Sequence, residues 1–191
     1  MRILSFICAM LIALPVWAAE LGDDGLHKAP WMRDTFKDLS EDLAEANDEG
    51  KRLLVMFEQR GCIYCTKMHE EVFSKPAVAD YITKNYFVVQ LNLHGDIDVT
   101  DFDAETLSEK AMARKWGILF TPTLMFIDKE VADDKTAPQA AVAMMPGAFG
   151  VGTTMDMLTW VVEERYALEG DEDFQRYHAR RIQERDNGKT D

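Results

Sequence analysis

The sequence predicts an α/β domain with a central mixed sheet of about four strands flanked by helices. Three observations carry this. Leu53-Leu54-Val55-Met56-Phe57 is apolar at every position, as a strand covered on both faces must be. Phe36, Leu39, Leu43 and Ala46 recur at helical spacing just before it. Further apolar stretches at Tyr86–Leu93, Thr123–Ile127 and Ala140–Met145 alternate with helical or loop-like ones. At 191 residues the chain has room for one domain with a full core and too little for two of ordinary size.

The first 18 residues read as an export signal. Arg2 is the positive start, Ile3 to Val16 is an apolar run, and Val16-Trp17-Ala18 offers small residues for cleavage before Ala19. The run is shorter than the ~20 residues a membrane span needs. Cleavage would remove Cys8, leaving Cys62 and Cys65 in an oxidising periplasm. The net charge of −13 argues against nucleic acid or an anionic membrane surface as partner.

Residues 19–33 follow as an arm with Gly22, Gly25 and Pro30, pinned to the body by Trp31. The domain proper is expected over residues 34–170. Asp34 can cap a helix running to Glu49, with Gly50 just past its end in the left-handed position. After the strand at Leu53–Phe57, a helix opens at the cysteines. Ser74-Lys75-Pro76 breaks and restarts it. The strand Tyr86–Leu93 leads to an acidic loop, His94 to Asp103, and then to a helix over Ala104–Lys115 with Leu107 and Ala111 inward. Asp128–Gln139 reads as a long hairpin connection. Thr154 can cap a helix to Leu168. Residues 171–191 hold a last helix, Asp173–Arg185, and a tail.

Chemistry concentrates in Glu58-Gln59-Arg60-Gly61-Cys62-Ile63-Tyr64-Cys65-Thr66-Lys67-Met68-His69. Haem attachment needs His directly after the second cysteine, where Thr66 stands. A zinc site needs four ligands; His69 could be a third, and the fourth would have to come from far away. An inert disulfide closing so short a loop constrains the unfolded chain little. A redox-active pair remains, favoured by a strand before it, a helix from its first cysteine and an exported context. Cys62 at the helix start is the expected attacker, exposed at the rim, its thiolate favoured by free N–H groups and helped by Arg60. Cys65 faces inward and resolves the mixed disulfide. Glu58, at the strand end near Cys65, could take the Cys65 proton. His69 lies about two turns from Cys62 and reads as a surface or rim residue. Asp96, Asp98, Asp101 and Asp103 lack the Gly and Glu that an EF-hand loop requires and read as a solvated acidic loop.

Lys115-Trp116-Gly117-Ile118-Leu119-Phe120-Thr121-Pro122-Thr123-Leu124, combined with Cys62 and Cys65, resembles the thioredoxin family. The resemblance covers roughly Lys51 to Leu168. Phe57-Glu58-Gln59, Gly61-Cys62 and Tyr64-Cys65 are most similar to the SoxW group, periplasmic thioredoxins of bacterial sulfur oxidation. Tyr64-Cys65, Lys67 and His69-Glu70 are also similar to the active-site helix of the disulfide isomerase DsbC. The resemblance implies a thioredoxin fold, with Pro122 a cis proline facing the cysteines and Thr121 a residue whose backbone pairs with a substrate strand. It implies no cofactor beyond the Cys62–Cys65 disulfide. It also implies reduction of cysteine-containing periplasmic proteins, with electrons arriving from a membrane thiol transporter. An oxidase or isomerase, or a binding module without turnover, is the alternative. The arm is too short for a dimerisation domain, so a monomer is expected. Two residues depart from the family: Met56 stands where thioredoxin has its buried acid, and Ile63-Tyr64 separates the cysteines.

Overall fold

The computed structural model describes residues 20–168 and 173–188. The expected export segment lies outside them, as do Gly170 and residues 189–191. Among the described residues no helix is long and apolar enough to cross a membrane. The chain runs β1 (Glu20–Leu21), β2 (His27–Lys28), β3 (Met32–Arg33), α1 (Leu39–Asp48), β4 (Arg52–Glu58) and α2 (Ile63–Met68). A π-helical turn, His69–Phe73, then leads to α3 (Pro76–Asn85), β5 (Tyr86–Asn92), β6 (Asp98–Thr100), β7 (Thr106–Ser108) and α4 (Glu109–Lys115). The remainder is β8 (Thr123–Ile127), α5 (Ala137–Ala140), β9 (Ala141–Pro146), α6 (Val151–Val162), a 3₁₀ turn at Arg165–Ala167 and α7 (Phe174–Asp186).

The central sheet has five strands in the order β3-β5-β4-β8-β9. β3, β5 and β4 are parallel; β8 pairs antiparallel with β4, and β9 antiparallel with β8. The fifth strand, beyond the four expected, comes from the arm, where Met32 and Arg33 pair with Val88 and Val89. Two residues are too few to leave a periodic signal.

β4 is buried along its whole length because both faces are covered. Leu54 and Met56 pack on one side with Met68, Val78, Ile82 and Leu158. Leu53, Val55 and Phe57 pack on the other with Leu39, Leu43 and Met112. This alternation sends Glu58 to the Met56 side, beneath the helix that carries the cysteines.

Several expected boundaries move. Asp38 caps α1, its carboxylate accepting from the amides of Ser40 and Glu41, where Asp34 was expected. Phe36 is therefore outside the helix and fully solvated, at 95% exposure. The helix expected from Ala104 begins at Glu109, because Thr106–Ser108 pair with Asp98–Thr100 in a two-stranded sheet. The connection after β8 contains α5, opened by a capping box between Thr136 and Gln139. α6 runs Val151–Val162 with Gly150 as its N-cap, so Thr154 is a buried interior residue rather than a cap. The acidic loop is less solvated than expected. Asp101 is buried and accepts from the amides of Phe102 and Ala137 and from Trp116 Nε1.

α7 packs on α6. Tyr177 enters the core, and Asp156 of α6 binds His178 at 2.6 Å and Arg185 through both its oxygens.

Candidate active site

Cys62 and Cys65 form a disulfide at the junction of β4 and α2. The junction is built from Gln59-Arg60-Gly61, with Gly61 in the left-handed region (φ 72°) that only glycine enters cheaply. Cys62 is the N-cap of α2, and its sulfur accepts from the Cys65 amide at 3.0 Å. The Thr121 hydroxyl donates to the same sulfur at 3.3 Å, and the Thr121 carbonyl oxygen lies 3.5 Å away. Two donors aimed at one sulfur stabilise a thiolate there once the disulfide opens. The Thr121–Pro122 peptide is cis, as the resemblance implied.

The expected exposure of Cys62 needs correction. It is only 6% exposed, against 0% for Cys65. What projects around the sulfur is apolar: Ile63 and Tyr64 after it, Leu119 and Phe120 before Thr121, each more than half exposed. Tyr64, Phe120 and Thr121 also line a cleft of about 430 Å³, closed on its far side by Gly147, Ala148 and Phe149. Arg60 does not face the sulfur. Its guanidinium group donates to the carbonyls of Asp23 and Asp24 in the arm, an interaction Gly25 permits by leaving room for the side chain.

Glu58 and His69 are brought together. Glu58 is fully buried, and its Oε1 lies 2.9 Å from His69 Nε2. His69, expected at the surface or rim, is 3% exposed. It belongs to the π-helical turn, where Ser74 N–H bonds the His69 carbonyl five residues back. His69 faces inward because it follows the buried Cys65 by one α-helical turn, and the π-helical turn that continues from it buries Val72 and Phe73 as well. Gln90 of β5 donates to Glu58 Oε2 at 2.6 Å.

His27, from the arm, is a residue the sequence did not single out. Its ring stacks on that of His69 with centroids 4.4 Å apart, and its Nδ1 lies 3.9 Å from Glu58 Oε1. Burial, and then the neighbouring His69, hold the His27 imidazole below its ordinary pKa, against the pull of Glu58 and Glu70. Trp31 and Phe73 complete the wall around His69. Gln90 carried a signal, being the polar residue inside the apolar run of β5. His27 carried none, since nothing local places the arm against β5.

His27, Glu58 and His69 are also the one group of metal-ligand type among the described residues. Their geometry fits a metal poorly. The two rings lie only 16° from parallel, so the in-plane lone pairs run side by side instead of converging on one ion.

Residues 39–132 match the family model described as a thioredoxin-like domain. No curated protein matches the chain. A thioredoxin-fold protein from Helicobacter pylori is similar at 19% identity and a TM-score of 0.54, over 72% of this chain and 86% of that one. A thioredoxin from Thermus thermophilus is similar at 21% identity and a TM-score of 0.50, over 65% of this chain and 83% of that one. The chain therefore has the thioredoxin fold, with a five-stranded mixed sheet flanked by helices and a Cys-x-x-Cys disulfide at the junction of β4 and α2.

Proposed function

Starting from a thioredoxin fold with this disulfide, we propose that the protein is an exported thiol–disulfide oxidoreductase that reduces disulfides of periplasmic partner proteins. The observation that carries the reading is the surroundings of Cys62 Sγ. The sulfur has two hydrogen-bond donors, from Thr121 and Cys65, and a collar of exposed apolar side chains that can seat a partner segment.

In the reduced protein the Cys62 thiolate attacks one sulfur of the partner's disulfide. The partner's S–S bond breaks, a mixed disulfide forms, and one partner thiolate leaves and takes a proton from water. Cys65 then loses its proton to Glu58 and attacks Cys62 Sγ. The Cys62–Cys65 bond forms, the second partner thiolate leaves, and the proton held on Glu58 returns to it by way of solvent. Two electrons have passed from this chain to the partner, and a membrane thiol transporter restores them. Thr121 and Pro122 orient the partner strand across the cleft. The likeness to the SoxW group favours a sulfur-carrying protein as that partner.

Cys65→Ser tests the reading directly. It should accumulate periplasmic partners disulfide-bonded to Cys62, and Cys62→Ser should accumulate none. A glutathione titration fixes the direction. A potential below the glutathione poise supports a reductase, whereas one near the strong oxidants would overturn it, since ~30 mV is already tenfold in the equilibrium.

A further inference from the structure

The exchange steps above use Glu58 and leave the two buried histidines beside it unexplained. We propose that His69 and His27 are positioning residues that hold one exchangeable proton on the Glu58 carboxylate, and that this proton's affinity follows the redox state of Cys62 and Cys65. The proposal rests on the reading of Glu58 as the acceptor for the Cys65 proton.

The hydrogen bonds assign the roles. Gln90 Oε1 accepts from Lys28 Nζ at 2.8 Å, and Gln90 Nε2 donates to the His27 carbonyl as well as to Glu58. The amide is thereby oriented with its NH₂ toward the carboxylate, and Glu58 Oε2 is an acceptor. The Thr66 hydroxyl donates to the Cys62 carbonyl, so it accepts from His27 Nε2–H at 3.2 Å. In the neutral ring the lone pair of His27 then lies on Nδ1, which faces Glu58 Oε1. His69 uses only Nε2, since its buried Nδ1 has no partner. With both rings neutral and Glu58 ionised, the cluster carries one buried negative charge. One added proton makes it neutral, the state a low dielectric favours.

Lys28 reaches the cluster only through Gln90 and is shared with Asp24. Glu70 acts on His27 from the helix, while Trp31 and Phe73 present apolar rings. Two connections lead to the cysteines. The His69 amide bonds the Cys65 carbonyl one helical turn away, and His27 reaches the Cys62 carbonyl through Thr66. A proton leaving Cys65 for Glu58 therefore alters a site tied to both cysteines, and by linkage the state of the cysteines alters the proton's affinity equally.

The test is an NMR titration of the His69 and His27 ring signals from about pH 5 to about pH 8, in the disulfide form and after chemical reduction with dithiothreitol. The expected result is a proton affinity differing about fivefold or more between the two forms, with the difference absent in Glu58→Gln. In kinetics, His69→Gln should flatten the pH profile of exchange over that range and slow it about tenfold near neutrality. His27→Gln should move the midpoint with a smaller loss. Ring titrations identical in both redox forms would overturn the proposal. So would a His69→Gln profile superimposable on that of the unmodified protein, or one zinc per chain lost on His27→Gln. A redox-dependent ring titration in a protein that reduces no partner would sustain the proposal while removing the functional reading above.

Discussion

Two buried carboxylates in this fold sit beside histidines in opposite electrostatic surroundings. Asp156 on α6 is ringed by His178, Arg185 and Arg181, and it fastens α7 to the body. Burial works to raise its pKa, but the hydrogen bonds from Arg185 and His178 outweigh burial and hold it below the usual value. Glu58, under the cysteines, has no guanidinium partner among the described residues; it meets only imidazoles and an amide. A permanent positive charge fixes a carboxylate in one state, whereas titratable and neutral partners leave two states within reach. Asp156 therefore holds structure, and Glu58 has the surroundings that the proposed proton role requires.

The largest effect that would break this comparison lies at Asp156. Asp156→Ala should cost about 3 kcal/mol in a urea unfolding series, with exchange rates of the folded protein unchanged. A matching loss of exchange would erase the distinction between the sites. Because the Asp156 pKa is depressed on folding, its contribution is present above the unfolded value of 3.8 and fades as pH falls through the folded one. Unfolding of α7, followed by far-UV dichroism, should begin only in acid below that value.

Glu58→Gln should act the other way round. Resolution by Cys65 should slow about 100-fold at neutral pH, read as the rate of mixed-disulfide collapse. Stability should move by about 1 kcal/mol or less, since Gln can still accept from Gln90.

Asp42 is another buried carboxylate, with no cation paired to it among the described residues. Burial, opposed by the Thr35 hydrogen bond and reinforced by Asp38, Glu45 and Glu41, raises it from 3.8 to about 6. A raised folded pKa means the folded chain binds the extra proton, so this stability is full below 3.8 and lost as pH rises through about 6. Asp42→Asn should therefore stabilise by about 2 kcal/mol at pH ~7 and by almost nothing at pH ~4, in paired thermal melts. The smallest expected effect is at Lys28. Lys28→Gln loosens the orientation of Gln90 and should slow resolution about twofold, visible only in a pre-steady-state comparison.

How far the sequence reached differs between the scaffold and the site. β4, β5, β8 and β9 were legible because an apolar run bounded by polar turns reports burial locally. Asp38 was missed as the α1 cap because Asp34 and Asp38 are equally good caps by residue type. Which one serves depends on Lys37 entering the left-handed region (φ 59°), a choice made by the pairing of this segment with β6. His69 was misplaced because it was measured from Cys62, about two turns away, whereas it stands one α-helical turn after the buried Cys65 and shares its inward face.

By itself, the sequence determined the alternating strands and helices and the cysteine pair at the strand–helix junction; the cis Pro122 entered only through the family resemblance. The elements and the cysteine pair follow from periodicity, spacing and the turn chemistry of Gly and Pro, all of which act over a few residues. Only the tertiary structure decided what surrounds Glu58. His27 and Gln90 are 63 residues apart in the chain, and Glu58 and Gln90 are 32 apart. No local pattern records that the arm, β4, β5 and the active-site helix close around one carboxylate. That closure is set by packing of apolar faces from distant segments, which then carries the polar side chains into contact.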